Sequence, residues 1–127
     1  MSTAYWCLLV GALLPYVNAG IAKASSPYDN RFPRALEKYQ GMALRAHGAH
    51  QNSFEVFPFF AVAVLVASGG SAHVADPLLD SLALAWIVSR LAYTAAYVLD
   101  RPTARSLIWF AGMALSLAIF TMPAWHR

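Results

Sequence analysis

The sequence predicts an all-α integral membrane protein, a four-helix bundle made of a single domain. Three observations carry that prediction. Of 127 residues, 59% are hydrophobic and 12% charged, against about 25% charged in an average soluble domain. Apolar stretches recur at about the 20 residues needed to cross a hydrocarbon core roughly 30 Å thick. Clusters of Ser, Gly, Pro and Asp separate those stretches. The length suits one domain, residues 1–127. The formal net charge of +3 is dispersed through apolar segments and offers no basic surface for nucleic acid. Cys7 is the single cysteine, so no intrachain disulfide forms.

The first span is expected from Thr3 to Ala24, with Pro15 inside it. No charge occurs from Met1 to Ala22, and Lys23 follows the apolar run instead of preceding it. The basic start of a signal peptide is missing, so the segment reads as a retained span. The second helix is expected to be long. It begins near Pro33, a residue suited to a first helical turn, and passes through a polar stretch into apolar Val56–Ala67. The third runs from Leu78 to Leu99 and the fourth from Ser106 to Trp125. Gly11, Gly112 and Ser116 read as small residues for close helix packing.

Charge sets the expected orientation. Lys23, Arg31, Arg34 and Lys38 flank the first loop, and Arg101 and Arg105 the third. The second loop has no Lys or Arg, only His73, Asp76 and Asp80 nearby, and Arg127 alone follows the last span. Basic loops stay in the cytoplasm. Both termini are therefore expected to face away from it.

The second helix carries the polar residues. At about 100° per residue, Arg34, Lys38, Gly41, Arg45, Gly48, Asn52 and Glu55 fall on one stripe, with His47 and His50 on the other side. A rise of about 1.5 Å per residue puts Glu55 about 9 Å inside the inner edge of the hydrocarbon core. The same count puts Arg90 on the third span near the midplane, about 5 Å away in depth. An isolated charge at the centre of a span costs about 2.5–3.5 kcal/mol on insertion scales. Glu55 and Arg90 are therefore expected to pair across helices as a structural ion pair. Tyr93 and Tyr97 follow Arg90 at i+3 and i+7, on one face, and Arg101 and Arg105 lie four apart at its mouth. Together they suggest a polar cleft able to hold an anion. His47 and His50 lack a thiol or carboxylate partner, so no metal site is expected. No Gly-rich phosphate loop and no Ser/His/Asp set is present.

The stretch Arg45-Ala46-His47-Gly48-Ala49-His50-Gln51-Asn52-Ser53-Phe54-Glu55-Val56-Phe57-Pro58-Phe59 resembles the second-helix signature of the MAPEG family, the membrane-associated proteins in eicosanoid and glutathione metabolism. Asn52, Glu55 and Pro58 with an upstream Arg carry the match. Arg90-x-x-Tyr93-x-x-x-Tyr97, followed by Arg101-x-x-x-Arg105-Ser106, agrees as well. The resemblance covers nearly the whole chain and is strongest to the bacterial branch. Gly48 departs from it, since many members carry Arg four residues before the Asn.

The resemblance implies a homotrimer in a bacterial inner membrane, among membrane lipids. Glutathione, as co-substrate, would lie between subunits near the cytosolic surface. Asn52 and Glu55 would hold the peptide, Arg45, Arg101 and Lys38 would meet its carboxylates, and Tyr93 and Tyr97 would line the cleft. Arg105 would face the sulfur as the catalytic residue, with a hydrogen bond from Ser106. The implied activity is a glutathione-dependent transferase or peroxidase acting on small lipophilic electrophiles or hydroperoxides. The alternative is a non-catalytic lipid-binding or scaffold trimer. A four-span exporter, which relies on a buried acid in its first helix, is disfavoured because Thr3–Ala24 contains none.

Overall fold

A computed structural model describes residues 1–73 and 75–126; Arg127 lies outside the described residues. Four helices follow in order: α1 (Thr3–Ala24), α2 (Gly41–Ala67), α3 (Pro77–Val98) and α4 (Pro102–Trp125). Three of them, α1, α3 and α4, are long and apolar enough to cross a membrane. The 27-residue α2 is longer than any of them but spoils its hydropathy with the polar residues of its first half. Both α1 and α4 pack against α2 and α3, while among the described residues α1 and α4 do not pack together. The central α2–α3 pair therefore has a neighbour on each side.

Only 22–28% of the residues in the central windows of α1, α3 and α4 are buried. Leu13, Val88, Leu91, Leu107 and Phe110 are all exposed. In water, so large an apolar surface would be a liability; in lipid, it is the solvated face. The inward residues are mostly small: Ala4, Gly11, Ala43, Ala46, Ala49, Ala63, Ala83 and Gly112. Small residues let helix backbones approach where dispersion contacts, not water release, drive packing. The largest buried pair is Phe60 on α2 and Trp86 on α3, stacked at 3.8 Å between ring centroids. A buried polar knot ties three helices together. Asn18 on α1 donates from Nδ2 to Ser53 Oγ on α2 and accepts from Thr94 Oγ1 on α3, both at 3.1 Å.

The helix boundaries correct two expectations. The second helix starts at Gly41, not near Pro33. Residues 33–40 form successive turns, closed by bonds such as Tyr39 N–H to Leu36 O. Gln40 is extended and Gly41 has φ +52°, a left-handed backbone that interrupts any helix running in from Pro33. Tyr39, buried against Ala22, Ala43 and Ala46, pins the segment to the bundle. Arg34 and Lys38 thus leave the polar stripe. The fourth helix starts at Pro102, four residues before Ser106, with Pro in the first turn.

The connection from α3 to α4 is only Leu99–Arg101. Arg101 N–H bonds Ala96 O at 2.8 Å and Asp100 N–H bonds Tyr97 O at 3.2 Å, with Asp100 at φ +57°. This is a Schellman ending in which Asp takes the left-handed position usually given to Gly. It brings the first turn of α4 directly beside the last turns of α3.

At the opposite end the helices are fastened by aspartates. Asp76 caps α3, accepting from Leu78 N–H and Leu79 N–H, and meets His126 Nε2 at 3.2 Å. Asp80 Oδ1 accepts the Ala4 N–H at 2.7 Å, so a side chain of α3 caps α1. Loss of a cap acceptor costs about 1 kcal/mol. Asp80→Ala should lower stability by about that much, and Asp80→Asn, which keeps an acceptor, by less. Thermal unfolding of the detergent-solubilised variants checks the order; equal losses would mean that the charge, not the acceptor, matters.

Candidate functional site

Where α2, α3 and α4 converge near the short α3–α4 connection, a cleft of about 420 Å³ opens. Its α2 wall is Gly48, Gln51, Asn52 and Glu55, one residue per turn or its neighbour. Tyr93 and Tyr97 come from α3, and Arg105, Ser106, Trp109 and Phe110 from α4. The structure thus brings together Asn52, Glu55, Tyr93, Tyr97, Arg105 and Ser106, six of the residues expected at the site.

Arg90 lies beneath this cleft, 3% exposed. Its Nη2 donates to Asn52 Oδ1 at 2.7 Å, and Asn52 Nδ2 points to Glu55 Oε2 at 3.4 Å. Depth alone favoured a direct Glu55–Arg90 ion pair. Instead Asn52 stands between them, its carbonyl toward the cation and its amide toward the carboxylate. Among the described residues, the side chains within ion-pairing distance of one another are His126 and Asp76. The Glu55 carboxylate stays exposed on the cleft.

The tyrosines carry the cations. The Arg90 guanidinium lies 4.1 Å from the Tyr93 ring centroid, and that of Arg105 4.5 Å from the Tyr97 centroid. The two rings meet edge to face at 5.7 Å. Arg90, Tyr93, Tyr97 and Arg105 form one continuous stack, each cation held against an electron-rich face. The stack runs from the bundle interior to the lip of the cleft.

Three expected residues lie elsewhere in the protomer. Arg45 donates from Nε to Val98 O at 3.1 Å, tying α2 to the carbonyl end of α3, where a cation is favoured. Arg101 is exposed at the N-cap of α4. Lys38 lines a separate pocket of about 300 Å³ within the 25–40 loop. On the other side of α2 is a basic cleft of about 480 Å³, lined by Lys23, Arg34, His47 and His50. His50 is oriented there by an Nδ1–H bond to Pro15 O at 2.7 Å. Gln51 borders both clefts.

Trp109 and Phe110 are cleft residues that the sequence reading passed over. The signal was available: they follow Arg105 and Ser106 by four residues each, on the same helical face. Their rings meet edge to face at 5.2 Å, and Phe110 is exposed beyond them. They give a polar cleft one apolar, outward-facing wall.

The MAPEG family profile matches residues 3–125, almost the whole chain. The chain belongs to the MAPEG family. Comparison with curated proteins gave no match. Membership agrees with the four-helix architecture and the membrane-spanning α1, α3 and α4. At the coarse level, it places the protein among membrane proteins of the glutathione-related transferase and peroxidase type, a family that is generally oligomeric.

The relay through Asn52 generates a prediction. Asn52→Ala removes the hydrogen-bond partner of a buried guanidinium, a loss of about 1–3 kcal/mol. Glu55→Gln removes only a long contact to Asn52 and should cost less. Unfolding of both variants in the same detergent decides it. A Glu55→Gln loss equal to that of Asn52→Ala would mean that the carboxylate itself holds Arg90.

Proposed function

We propose that this protein is a membrane-bound glutathione-dependent transferase or peroxidase acting on lipophilic electrophiles or hydroperoxides. The observation that supports it most is the pairing of Arg105 and Ser106 with the apolar wall of Trp109 and Phe110 in one cleft. An anionic sulfur and an apolar reactant can meet there.

The chemistry follows from the groups. A free thiol has a pKa near 8.5, and an adjacent guanidinium favours the thiolate, which is the nucleophile. Arg105 is the thiolate partner in this reading, with Ser106 as a second donor. The thiol proton leaves to water, the sulfur bonds to the electrophilic carbon, and the negative charge passes to the product or its leaving group. With a hydroperoxide, the thiolate attacks the terminal oxygen and the O–O bond breaks. The alkoxide takes a proton from water and leaves as an alcohol, and the sulfenic acid formed on sulfur is reduced by a second glutathione to give the disulfide and water. Glu55, exposed beside Asn52, suits the ammonium of the peptide, and Tyr93 and Tyr97 line its path.

One protomer supplies a single guanidinium to this cleft, whereas glutathione has two carboxylates. A homotrimer answers that need. Three-fold rings are head-to-tail, so each copy presents a different face to its neighbour. The basic cleft with Lys23 and Arg34, across α2, is the surface suited to complete the site. Arg45, Arg101 and Lys38 serve the carboxylates only if assembly brings them from a neighbouring copy or repositions them. In this reading the end that carries the 25–40 and 99–101 loops, with their Lys and Arg residues, faces the cytosol at a bacterial inner membrane, and both termini face the opposite side.

The test is thiolate absorbance of glutathione bound to the purified protein at neutral pH. Bound thiolate is expected, and Arg105→Ala should lower turnover by at least about 100-fold, the scale of losing one preorganised charge partner, while glutathione still binds. Turnover near the wild-type rate in Arg105→Ala would remove Arg105 from the role. Absence of thiolate at saturating glutathione would favour the non-catalytic lipid-binding or scaffold trimer.

A further inference from the structure

Glycine inside a helix is destabilising relative to alanine, so Gly48 in the middle of α2 needs a reason. Backbone conformation does not supply one: the glycines with positive φ are Gly41, Gly69 and Gly70. The reason lies across the interface. A Cβ at position 48 would collide with the Tyr97 hydroxyl, and would lie 2.7 Å from Cζ and 3.3 Å from Cε2 of the same ring. All three nearest atoms belong to one side chain, so the whole far end of Tyr97 rests on the α2 backbone.

That half-buried ring borders the open cleft on one side and is held by its neighbours on the others, so displacing it disturbs those contacts. Tyr93 meets it edge to face at 5.7 Å, and Tyr93 is itself held by Arg90 at 4.1 Å, which is anchored to Asn52. The remaining face carries the Arg105 guanidinium at 4.5 Å. A methyl group at 48 must therefore push Tyr97 by roughly 1 Å to reach an ordinary contact distance, and Tyr97 is the ring that carries the Arg105 guanidinium.

We propose that Gly48 is a positioning residue: by lacking a side chain it seats Tyr97 against α2, and the seated ring fixes the Arg105 guanidinium at the cleft. The catalytic consequence rests on the function proposed above, whereas the seat itself rests on packing alone. Displacement of a reacting group by about 1 Å can cost about 100-fold in rate. Gly48→Ala should therefore lower kcat or bound thiolate at least about tenfold, leaving KM for the lipophilic substrate unchanged.

The experiment is a set of thermal unfolding and kinetic measurements on the full-length detergent-solubilised protein, with Gly48→Ala, Tyr97→Leu, Arg105→Ala and their pairwise combinations. With Tyr97 in place, Gly48→Ala should lower the unfolding midpoint, by about 4 °C or more, against its better helix propensity. In the Tyr97→Leu background, Gly48→Ala should raise the midpoint and cause no further loss of kcat, because nothing remains to be displaced. Arg105→Ala should lower the midpoint when Gly48 is present and have a smaller effect beside Gly48→Ala. Such non-additivity marks residues that act through one another. The proposal is overturned if Gly48→Ala raises the midpoint with Tyr97 present, or if its effect is the same in both Tyr97 backgrounds. It is also overturned if Arg105→Ala has equal effects with and without Gly48. A protein that binds no glutathione thiolate would sink the proposed activity, and the unfolding set would still decide the seat.

Discussion

The guanidinium of Arg90 sits inside a membrane-embedded bundle at 3% exposure, and much of the structure around the cleft answers to it. A charge at that depth is costly unless hydrogen bonds and an electron-rich face surround it. Asn52 supplies the bond from α2 and Tyr93 the face from α3 itself. Those two contacts fix the rotation of α2 against α3, while Arg90 Nε stays buried without a hydrogen-bond partner among the described residues. The bond from Arg90 also spends the carbonyl of Asn52 inward, which leaves its amide and the Glu55 carboxylate toward the cleft. One buried cation thus determines which polar groups remain open to the cleft. Replacing such a group by an apolar residue is often neutral for stability, so its retention here is better explained by the arrangement it imposes.

The same cation begins the stack that ends at Arg105. A side chain on the first turn of α4 would ordinarily be free to wander. Two constraints prevent that. The Leu99–Arg101 connection holds the start of α4 against the end of α3, using Asp100 in a left-handed conformation. Tyr97 then presents its face to the guanidinium. A turn geometry and a ring of the cleft wall together decide where the positive charge stands.

Helical arithmetic made much of this legible before any coordinates. Asn52 and Glu55, or Arg90, Tyr93 and Tyr97, share a face because their spacing says so, and α1, α3 and α4 reveal themselves by length and apolarity. What stayed hidden depends on contacts between distant segments or on one backbone angle. Arg34 and Lys38 continue the α2 stripe in projection, yet Gly41 at φ +52° ends the helix before reaching them. Arg45 lies on the right face, but the carbonyl of Val98 claims it. Asp80 looks like a charge of the second loop, although its partner is the first turn of α1. Glu55 and Arg90 have matching depth, and depth does not say that Asn52 would stand between them. Gly48 is a small residue in sequence; its meaning is Tyr97, which lies 49 positions later.

The division of labour among the helices follows. α1, α3 and α4 turn apolar side chains outward, as the bilayer demands; inward, α1 is mostly small and α4 partly so, while α3 buries Trp86, Arg90 and Tyr93. α2 departs from that apolar pattern over its first half, and four of its polar positions have a reason within the fold. Asn52 answers Arg90, Ser53 completes the knot with Asn18, His50 bonds the Pro15 carbonyl, and Arg45 closes α3. Three positions lack such a reason: Gln51 borders both clefts, the buried Nε2 of His47 has no hydrogen-bond partner among the described residues, and Glu55 is exposed with only a long contact, 3.4 Å, to Asn52. Glu55 faces the same cleft as the Arg105 guanidinium from α4. Internal contacts account for Arg45, His50, Asn52 and Ser53; for Glu55, the proposed function supplies a partner that the protomer does not.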